Sequence, residues 1–369
     1  MLIVKRRFPV RQILLYGWLP SALKKLVYRL KGYRIGRGVS LAFGSVVIGR
    51  DVTIGDGTQI GFLTFVRGNR IRLGEHVHIG SATMIDTPDL DIGDGSRINE
   101  QVFVGGLQYP DSKVVIGRNC QIMQMTFINP TRSIVIGDDT GIGGDCLMFG
   151  HTSWLSQFEG YQVEFESIEI GNSVSISWRV FILPGTQIGD GAVVGANSLV
   201  RGRIPERCLA VGFPARVVSR EPEFPRPLSG AEKETLFRHI LKEFSAFLEA
   251  EGFQCRQESG LFCVNGAARR GWRRRRASWR MAVRTKTLED EAVPLPEVEV
   301  FLSLRHIPVE MRQAFSRRGV MWMDIELKER SDAGNELGEE VVQHFRRYGV
   351  RFFRVKDASS SSGRARPAH

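Results

Sequence analysis

The sequence repeats with a period of six residues from Tyr33 to about Val218. Two consecutive copies read Ile54-Gly-Asp-Gly-Thr-Gln and Ile60-Gly-Phe-Leu-Thr-Phe: an aliphatic residue first, usually glycine second, and a small or β-branched residue fifth. An α-helix has a period of 3.6 and a strand a period of 2, so neither alone explains a period of six. A parallel β-helix does, because each hexapeptide forms a short strand and a corner. We therefore predict a solenoid whose aliphatic side chains stack inside and whose glycines supply unusual corner dihedral angles.

The composition is that of a soluble protein with room for more than one domain, since 42% of the 369 residues are hydrophobic and 25% are charged. The net charge of +11 is unevenly spread. An acid-free stretch contains a cluster of arginines: Arg269, Arg270, Arg273, Arg274, Arg275, Arg276 and Arg280. Such a cluster is either a solvated surface or a contact with anionic lipid or another polyanion, and both interpretations remain open.

Cysteine usage indicates a reducing, cytoplasmic compartment. The five cysteines are odd in number and lack zinc-type spacing, and Cys120 and Cys146 occupy the fifth place of their hexapeptides. The sequence contains no apolar run of about 18 residues, so we expect no membrane-spanning helix. Lys5-Arg6-Arg7 precede only a short, interrupted apolar stretch, and we do not predict a signal peptide.

Composition and periodicity divide the chain into five segments. These are an amphipathic helical segment (1–32), the hexapeptide domain (33–220), a proline-rich linker (221–228), an α+β domain of unknown role (229–357) and a disordered tail (358–369). In segment 1–32, leucines alternate with lysines and arginines. One interpretation is a helix that covers the open first coil, and the other is a helix lying on an anionic membrane; the two are compatible.

The hexapeptide phase breaks twice. Gly106 to Val114 form a short insertion, and His151 to about Ser167 form a longer one. Insertions in a solenoid leave from a corner and lie on one face, which is often the binding face.

The C-terminal domain is predicted to begin with a helix at Ser229, where Glu232 completes a capping box. Its apolar face is predicted to be Leu236, Ile240, Leu241, Phe244, Phe247 and Leu248. Strands are predicted at 261–264, 279–284, 298–304, 320–327 and 350–355, and helices at about 308–318 and 336–348. Asp324-Ile-Glu-Leu-Lys328 resembles a nuclease motif, but an ordinary strand with Asp324 and Glu326 facing outward is the favoured interpretation.

The end of the repeat resembles a known family. Ile182-Leu-Pro-Gly-Thr-Gln-Ile-Gly-Asp-Gly, then Ile204-Pro205, then Val211-Gly-Phe-Pro-Ala-Arg216 are similar to the ending of the hexapeptide-repeat acyltransferases, which include maltose, galactoside and streptogramin O-acetyltransferases and polysaccharide O-acetyltransferases. The resemblance covers about half of the chain. It implies a mainly β fold, a left-handed parallel β-helix, and a homotrimer with active sites between neighbouring solenoids.

The resemblance also implies a mechanism and residues for it. A histidine in the loop that leaves the coil is the general base, and it takes the proton of an acceptor hydroxyl that attacks acetyl-coenzyme A. His151 opens such an insertion. Glu164 and Glu166 are the candidate carboxylates to support His151, with Glu164 favoured, and Asn129 and Glu166 are candidates for binding the acceptor.

For the acyl donor, the resemblance implies a row of small residues and basic partners for phosphate. The candidates are Gly185, Gly195, Ala196, Ser198, Arg201, Arg203 and Arg216. The sequence departs from the family at Gly202, where relatives often carry lysine, and at Ser175-Ile-Ser177, where relatives have Trp-Ile-Gly. The position of His151 also differs. In many relatives the base lies about two residues further beyond the last aliphatic position of its coil than His151 lies beyond Met148.

The predicted function is that of a cytoplasmic O-acyltransferase that uses acetyl-coenzyme A without a metal. The predicted acceptor is a sugar hydroxyl in cell-surface polysaccharide biosynthesis, on the inner face of the membrane if residues 1–32 bind lipid. The alternative from another class is a non-catalytic scaffold or binding protein. A γ-type carbonic anhydrase is disfavoured because His76, His78 and His151 lack the required spacing, and a nucleic-acid partner is not expected.

Overall fold

The structure is a computed structural model that describes residues 10–258, 260–270, 273–286 and 297–355, without the side chains of 267–277. The chain divides into two compact units, Met1–Pro227 and Leu228–His369, with the division inside the predicted linker. The predicted tail (358–369) and the arginine side chains predicted to cluster at 269–276 lie outside this description. Among the described residues, no helix is both long and apolar enough to cross a membrane.

The first unit is a parallel β-helix built from three sheets, here named A, B and C. Each coil contributes one strand to each sheet in turn, and successive coils pair in parallel. Sheet A contains β1 (Arg34–Ile35), β4 (Asp51–Ile54), β7 (Arg70–Leu73), β10 (Asp89–Ile92), β13 (Lys113–Ile116), β16 (Ile134–Ile136), β21 (Ile168–Ile170), β24 (Gln187–Ile188) and β27 (Arg203–Ile204). The predicted fold class is confirmed.

Sheets B and C run alongside sheet A. Sheet B contains β2 (Ser40–Leu41), β5 (Gln59–Ile60), β8 (His78–Ile79), β11 (Arg97–Ile98), β14 (Gln121–Ile122), β17 (Gly141–Ile142), β22 (Ser175–Ile176), β25 (Val193–Val194), β28 (Cys208–Gly212) and the antiparallel β29 (Ala215–Arg220). Sheet C contains β3 (Val46–Ile48), β6 (Phe65–Arg67), β9 (Met84–Asp86), β12 (Phe103–Val104), β15 (Phe127–Asn129), β18 (Leu147–Phe149), β23 (Phe181–Ile182) and β26 (Leu199–Val200).

The aliphatic first position of the repeat forms the core. In sheet B, Ile60 pairs with Ile79 and Ile79 pairs with Ile98, so that identical side chains stack from coil to coil. The fifth position is buried as well, and its hydroxyl or thiol reaches a carbonyl of the next coil. Thr58 Oγ1 donates to Gly74 O at 2.7 Å, and Cys120 Sγ contacts Gly137 O at 2.9 Å. Cys120 and Cys146 are therefore solenoid packing residues, as predicted.

Glycine occupies the second position of the repeat for a different reason from the predicted one, which was an unusual corner dihedral angle. A Cβ on Gly80 would lie 2.5 Å from the backbone carbon of Asn99 in the next coil. Close approach of neighbouring coils therefore excludes side chains there. The left-handed dihedral angles occur two residues later, as at Gly57 (φ +68°) and His76 (φ +54°).

Two further elements complete the first unit. Residues before the solenoid form α1 (Val10–Gln12), a π-helical turn (Ile13–Gly17) and α2 (Ser21–Leu30). The long insertion contains the two-stranded ribbon of β19 (His151–Thr152) and β20 (Glu164–Phe165), with a 3₁₀ turn (Gln157–Glu159) between them.

The second unit is a seven-stranded mixed sheet with helices on both faces. Its elements are α3 (Gly230–Ala250), β30 (Gln254–Glu258), β31 (Leu261–Arg270), β32 (Arg273–Arg284), β33 (Val300–Ser303), α4 (Val309–Arg317), β34 (Met321–Asp324), β35 (Glu329–Ser331), α5 (Glu336–Arg346) and β36 (Phe353–Val355). α3 and α5 contribute to one hydrophobic core, and α4 contributes to the other. The sequence prediction missed β30 and β35.

Details of this unit confirm some predictions and correct others. The capping box of Ser229 and Glu232 is present at the start of α3. Leu236, predicted to lie on the apolar face, is 46% exposed, and Phe237 is buried instead. β34 ends at Asp324, whose side chain is fully buried, so the predicted outward orientation of Asp324 is wrong. The reason is that α4 covers this face of the sheet, which an alternating pattern cannot reveal.

Candidate active site

Both insertions leave the solenoid at the same corner, between sheet C and sheet A. The short one connects β12 to β13, and the long one connects β18 to β21. They meet at this corner, where the rings of Tyr109 and Phe165 lie 5.4 Å apart. Arg132, which follows β15 at this corner, places its guanidinium over Tyr109 and pairs with Asp111 at 2.7 Å. The expectation that the insertions share one face of the solenoid is confirmed.

His151 lies at the base of the long insertion, directly after the coil that contains β18. Its backbone pairs with Phe165 in the β19–β20 ribbon. Its half-buried ring stacks on Phe165 at a centroid distance of 6.1 Å and meets the edge of Phe149 at 6.4 Å. These two aromatic contacts fix the plane of the imidazole, and the opposed ribbon fixes its backbone.

A buried threonine holds one nitrogen of this imidazole. Thr131 lies one coil earlier at the same corner and is fully buried, and its Oγ1 is 2.8 Å from His151 Nδ1. The single hydroxyl proton of Thr131 is donated to Asn129 Oδ1 at 2.9 Å. In this arrangement the oxygen of Thr131 accepts from Nδ1–H of the neutral imidazole, because its own proton is donated to Asn129. The lone pair of that imidazole is therefore on Nε2.

Burial adjusts the protonation of this histidine. Desolvation lowers the pKa of His151 below 6.5, because a partly buried site disfavours the charged imidazolium. At neutral pH the ring is therefore neutral and able to accept a proton on Nε2. That state is the one that a general base requires.

Asn129, a predicted acceptor-binding residue, is 5% exposed and lies at the end of β15. Its side-chain amide lies against Gly106, where a Cβ would be 2.5 Å from Oδ1. Gly106 has a φ of +146°, and the absence of a side chain lets the two residues approach. Within one chain, Asn129 Oδ1 accepts the hydrogen bond of Thr131 and does not face an open surface.

The structure does not bring Glu164 to His151. Glu164 faces Thr152 in the ribbon, and its carboxylate pairs with Arg201. Neighbouring residues of a strand point to opposite faces, so Phe165, which covers His151, directs Glu164 away from it. Within one chain, no described contact joins the Glu164 carboxylate to His151, and the side chain that contacts His151 Nδ1 is that of Thr131.

Glu166 and Gly185 contact each other at the same corner. The backbone N–H of Glu166 donates to Gly150 O at 3.2 Å, and its exposed carboxylate lies over the Cα of Gly185. Gly185 has a φ of +72°, so a side chain there would be strained and would displace the Glu166 carboxylate. Asn129, His151, Glu164, Glu166, Gly185 and Arg201 thus all belong to one corner of the solenoid.

The predicted row of small donor-binding residues is divided between two corners. Gly185 lies between sheets C and A, whereas Gly195 and Ala196 lie between sheets B and C. Residues stack only when they are one full coil apart, which is about three hexapeptides, and the prediction did not apply that spacing. Ser198 is buried, and its hydroxyl accepts from Gly212 N at 3.1 Å, so its side chain stabilises the closing hairpin.

The remaining predicted donor residues are arginines on the last coils. Arg203 lines a shallow groove of about 470 Å³ along sheet A, together with Glu169 and Gln187. Arg216 is exposed on β29, opposite Val211 in the hairpin that ends the solenoid. Within the residues described, no group of three or more metal-ligating side chains is placed to hold a metal ion.

Sequence reasoning missed Thr131, Phe165 and Tyr109. Thr131 lies in Asn129-Pro-Thr-Arg132, outside the hexapeptide phase, so no repeat pattern marks it. The available signal was positional: a polar residue one coil before His151 at the same corner must lie next to it.

The site can be compared with known proteins. The putative lipopolysaccharide biosynthesis O-acetyl transferase WbbJ of Escherichia coli K12 is 34% identical over 113 residues, which cover 28% of this chain and 58% of that protein. The galactoside O-acetyltransferase of the same organism is 34% identical over 109 residues, covering 29% of this chain and 54% of that protein. The chain thus spans somewhat more than half the length of these relatives. No protein-family model matches the sequence.

Among solved structures, the polySia-specific acetyltransferase NeuO is similar, with 20% identity and a TM-score of 0.35 over 51% of this chain and 80% of that chain. The curated relatives are acetyltransferases, and this chain matches them over little more than a quarter of its length. The resemblance to the hexapeptide-repeat acyltransferases that the sequence predicts is confirmed.

Proposed function

We propose that this chain is an acyl-coenzyme A-dependent O-acyltransferase that transfers an acetyl group to a sugar hydroxyl in cell-surface polysaccharide biosynthesis. The observation that carries the proposal is the contact of His151 Nδ1 with the buried Thr131, which leaves Nε2 as the basic nitrogen. The similarity to the two Escherichia coli O-acetyltransferases supports the reaction class.

In the proposed reaction, Nε2 of His151 removes the proton of the acceptor hydroxyl as its oxygen attacks the thioester carbonyl. The tetrahedral intermediate then collapses, the C–S bond breaks, and the thiolate leaves with the proton from the imidazolium. The fixed ring plane and tautomer of His151 reduce the orientational cost of this proton transfer. No metal is required in this scheme.

The donor is proposed to lie along the last coils, where arginines offer partners for the phosphates of coenzyme A. Arg203 and Arg216 are exposed there, and Arg201 pairs with Glu164 on the surface. Guanidinium groups bind phosphate through parallel hydrogen bonds. Because acyl-coenzyme A is a cytoplasmic metabolite, we place the reaction in the cytoplasm.

We also propose that the active unit is a homotrimer. The long insertion carries large apolar side chains that a single chain leaves uncovered: Trp154 is 97% exposed and Phe158 is fully exposed. Exposed apolar side chains in one loop are typical of an interface. Light scattering should report a mass of three chains; a monomer at every concentration would contradict the shared-site arrangement.

Calorimetric titration with acetyl-coenzyme A and thiol release together test the proposed reaction. Wild type and His151→Ala should both bind the donor, and the variant should lose slow thiol release about 10²–10⁴-fold. His239→Ala is the matched control, because His239 is exposed in the second unit, and it should behave as wild type. Failure of wild type to bind acetyl-coenzyme A would instead favour the alternative, a non-catalytic scaffold.

A further inference from the structure

The N-terminal helix α2 meets the solenoid with Lys24, Tyr28 and the partly buried Val27, and exposes a row of leucines to solvent. Lys24 and Tyr28 are buried, with exposures of 0% and 1%. Leu23, Leu26 and Leu30, which lie three or four residues apart on one side of the helix, are 48%, 55% and 80% exposed. A helix that packs on a core normally has the opposite orientation.

The unusual orientation follows from what the helix covers. The first coil has no preceding coil, so backbone groups along its edge lack strand partners. Lys24 Nζ donates to Ala42 O at 2.6 Å and to Ser45 O at 3.0 Å. Tyr28 Oη accepts from Val47 N at 2.9 Å. The polar face of α2 thus satisfies the edge, and its leucines are left on the other side.

The adjoining residues are apolar and exposed as well. Trp18 meets Phe43 edge-on with ring centroids 4.7 Å apart, and Phe43 stacks with Phe62 at 6.2 Å. Ten of the 24 large exposed apolar side chains in the described residues lie between 10 and 63. These form the N-terminal apolar surface: Val10, Leu14, Leu15, Trp18, Leu23, Leu26, Leu30, Phe43, Phe62 and Leu63.

The same part of the chain is strongly basic. Residues 1–50 contain eleven lysines and arginines and no aspartate or glutamate. Within the described residues, those exposed are Arg11, Arg29, Lys31, Arg34, Arg37 and Arg50. Apolar side chains flanked by cations on an amphipathic helix are the composition that binds the surface of an anionic bilayer.

We propose that the N-terminal apolar surface binds an anionic membrane, with the leucines of α2 and Trp18 entering the headgroup region. A second copy of the same surface is the less suitable occupant, because it would bring two acid-free, basic segments together. Nucleic acid would neutralise the charge but leave the leucines exposed. The proposal is independent of the acyltransferase activity and places the solenoid at a lipid surface.

Vesicle sedimentation tests the proposal with the full chain. Wild type should pellet with vesicles of phosphatidylcholine and phosphatidylserine, and pelleting should weaken in high salt or with pure phosphatidylcholine. The triple variant Leu23→Gln, Leu26→Gln and Leu30→Gln should lose at least about tenfold in apparent affinity, because apolar burial supplies much of the binding. Glutamine suits these three positions because each leucine is about half exposed or more and glutamine is a good helix former.

Leu236→Gln is the matched control, since Leu236 is 46% exposed on α3 of the second unit, and it should pellet like wild type. Equal pelleting of the triple variant, or no pelleting of wild type, would overturn the proposal. The proposal would also be overturned if, without vesicles, the triple variant had a different oligomeric mass from wild type, because the surface would then join copies of the chain. Thiol release without vesicles should be unchanged in the triple variant, which separates this test from that of the proposed function.

Discussion

Each unit of the chain contains a histidine whose Nδ1 contacts a buried side chain, and the two arrangements differ in charge. In the solenoid, His151 contacts the neutral hydroxyl of Thr131 at 2.8 Å. In the second unit, His306 contacts the carboxylate of Asp324 at 3.1 Å, and Asp324 is fully buried. The second arrangement resembles the carboxylate–histidine pair of a hydrolase more closely than the first does.

The surroundings of Asp324 show why resemblance to a dyad is misleading. Its Oδ2 also accepts from Arg312 at 2.8 Å and from Ile307 N at 2.9 Å, and its Oδ1 accepts from Leu327 N at 3.0 Å. These bonds satisfy a buried charge and hold the loops at the ends of β33 and β34. His306 is a peripheral partner in this cluster. Whether a histidine is suited to catalysis is thus shown by the other contacts of its partner, and not by the identity of the partner alone.

The largest expected effect distinguishes the two histidines. His151→Ala should lower the rate of acyl transfer about 10²–10⁴-fold, because the general base is lost. His306→Ala should leave the rate unchanged. Steady-state kinetics with a sugar acceptor measures both, and an equal loss in the two variants would remove the distinction.

Asp324→Ala should strongly destabilise the second unit. Removal of the carboxylate leaves the guanidinium of Arg312, 12% exposed, with fewer partners, which costs about 3–5 kcal/mol for a broken buried pair. Asp332→Ala is the control, since Asp332 pairs with Arg354 at the surface, and it should cost less than about 1 kcal/mol. Urea unfolding followed by Trp fluorescence would measure both, and similar losses would show that Asp324 is not the centre of the cluster.

Thr131→Val should lower the rate on the order of tenfold, because the imidazole loses the acceptor that sets its tautomer and orientation. Thr131→Ser retains the hydroxyl and should keep most of the activity. Donor affinity should be unchanged in both variants. If Thr131→Val and Thr131→Ser had the same rate, the Thr131 hydroxyl would have no positioning role.

The pH profile provides a test without substitution. The neutral imidazole is the active form, and burial lowers the pKa of His151, so protonation inactivates the enzyme only at lower pH. The acid limb of kcat/KM should therefore have a midpoint below 6.5, the ordinary value for histidine. A midpoint above that value would indicate that a carboxylate, and not only the hydroxyl of Thr131, contacts the imidazole.

The smallest expected effect concerns Glu164. Glu164→Gln removes a surface ion pair with Arg201 and should change the rate less than about fivefold, since such pairs contribute at most about 1 kcal/mol. A loss as large as that of His151→Ala would restore Glu164 as the support of the base, and with it a charged partner in the solenoid.

Several features of the fold could be predicted because they depend on local pattern. The hexapeptide period indicated the β-helix, and the capping box at Ser229 indicated the start of α3. The site could be predicted only in part. His151 follows from the insertion that it opens, but Thr131 and Phe165 reach it across coils and strands, and no local pattern records those contacts.

The sequence by itself determined the solenoid, because a period of six is satisfied only when aliphatic side chains stack from coil to coil. It also located the two insertions, at Gly106 to Val114 and from His151 to about Ser167. The tertiary structure decided the orientation of α2 and the partner of His151. Both depend on polar groups that meet only after the coils have stacked. Lys24 of α2 donates to a backbone carbonyl at the edge of the first coil, and Thr131 reaches His151 from the preceding coil.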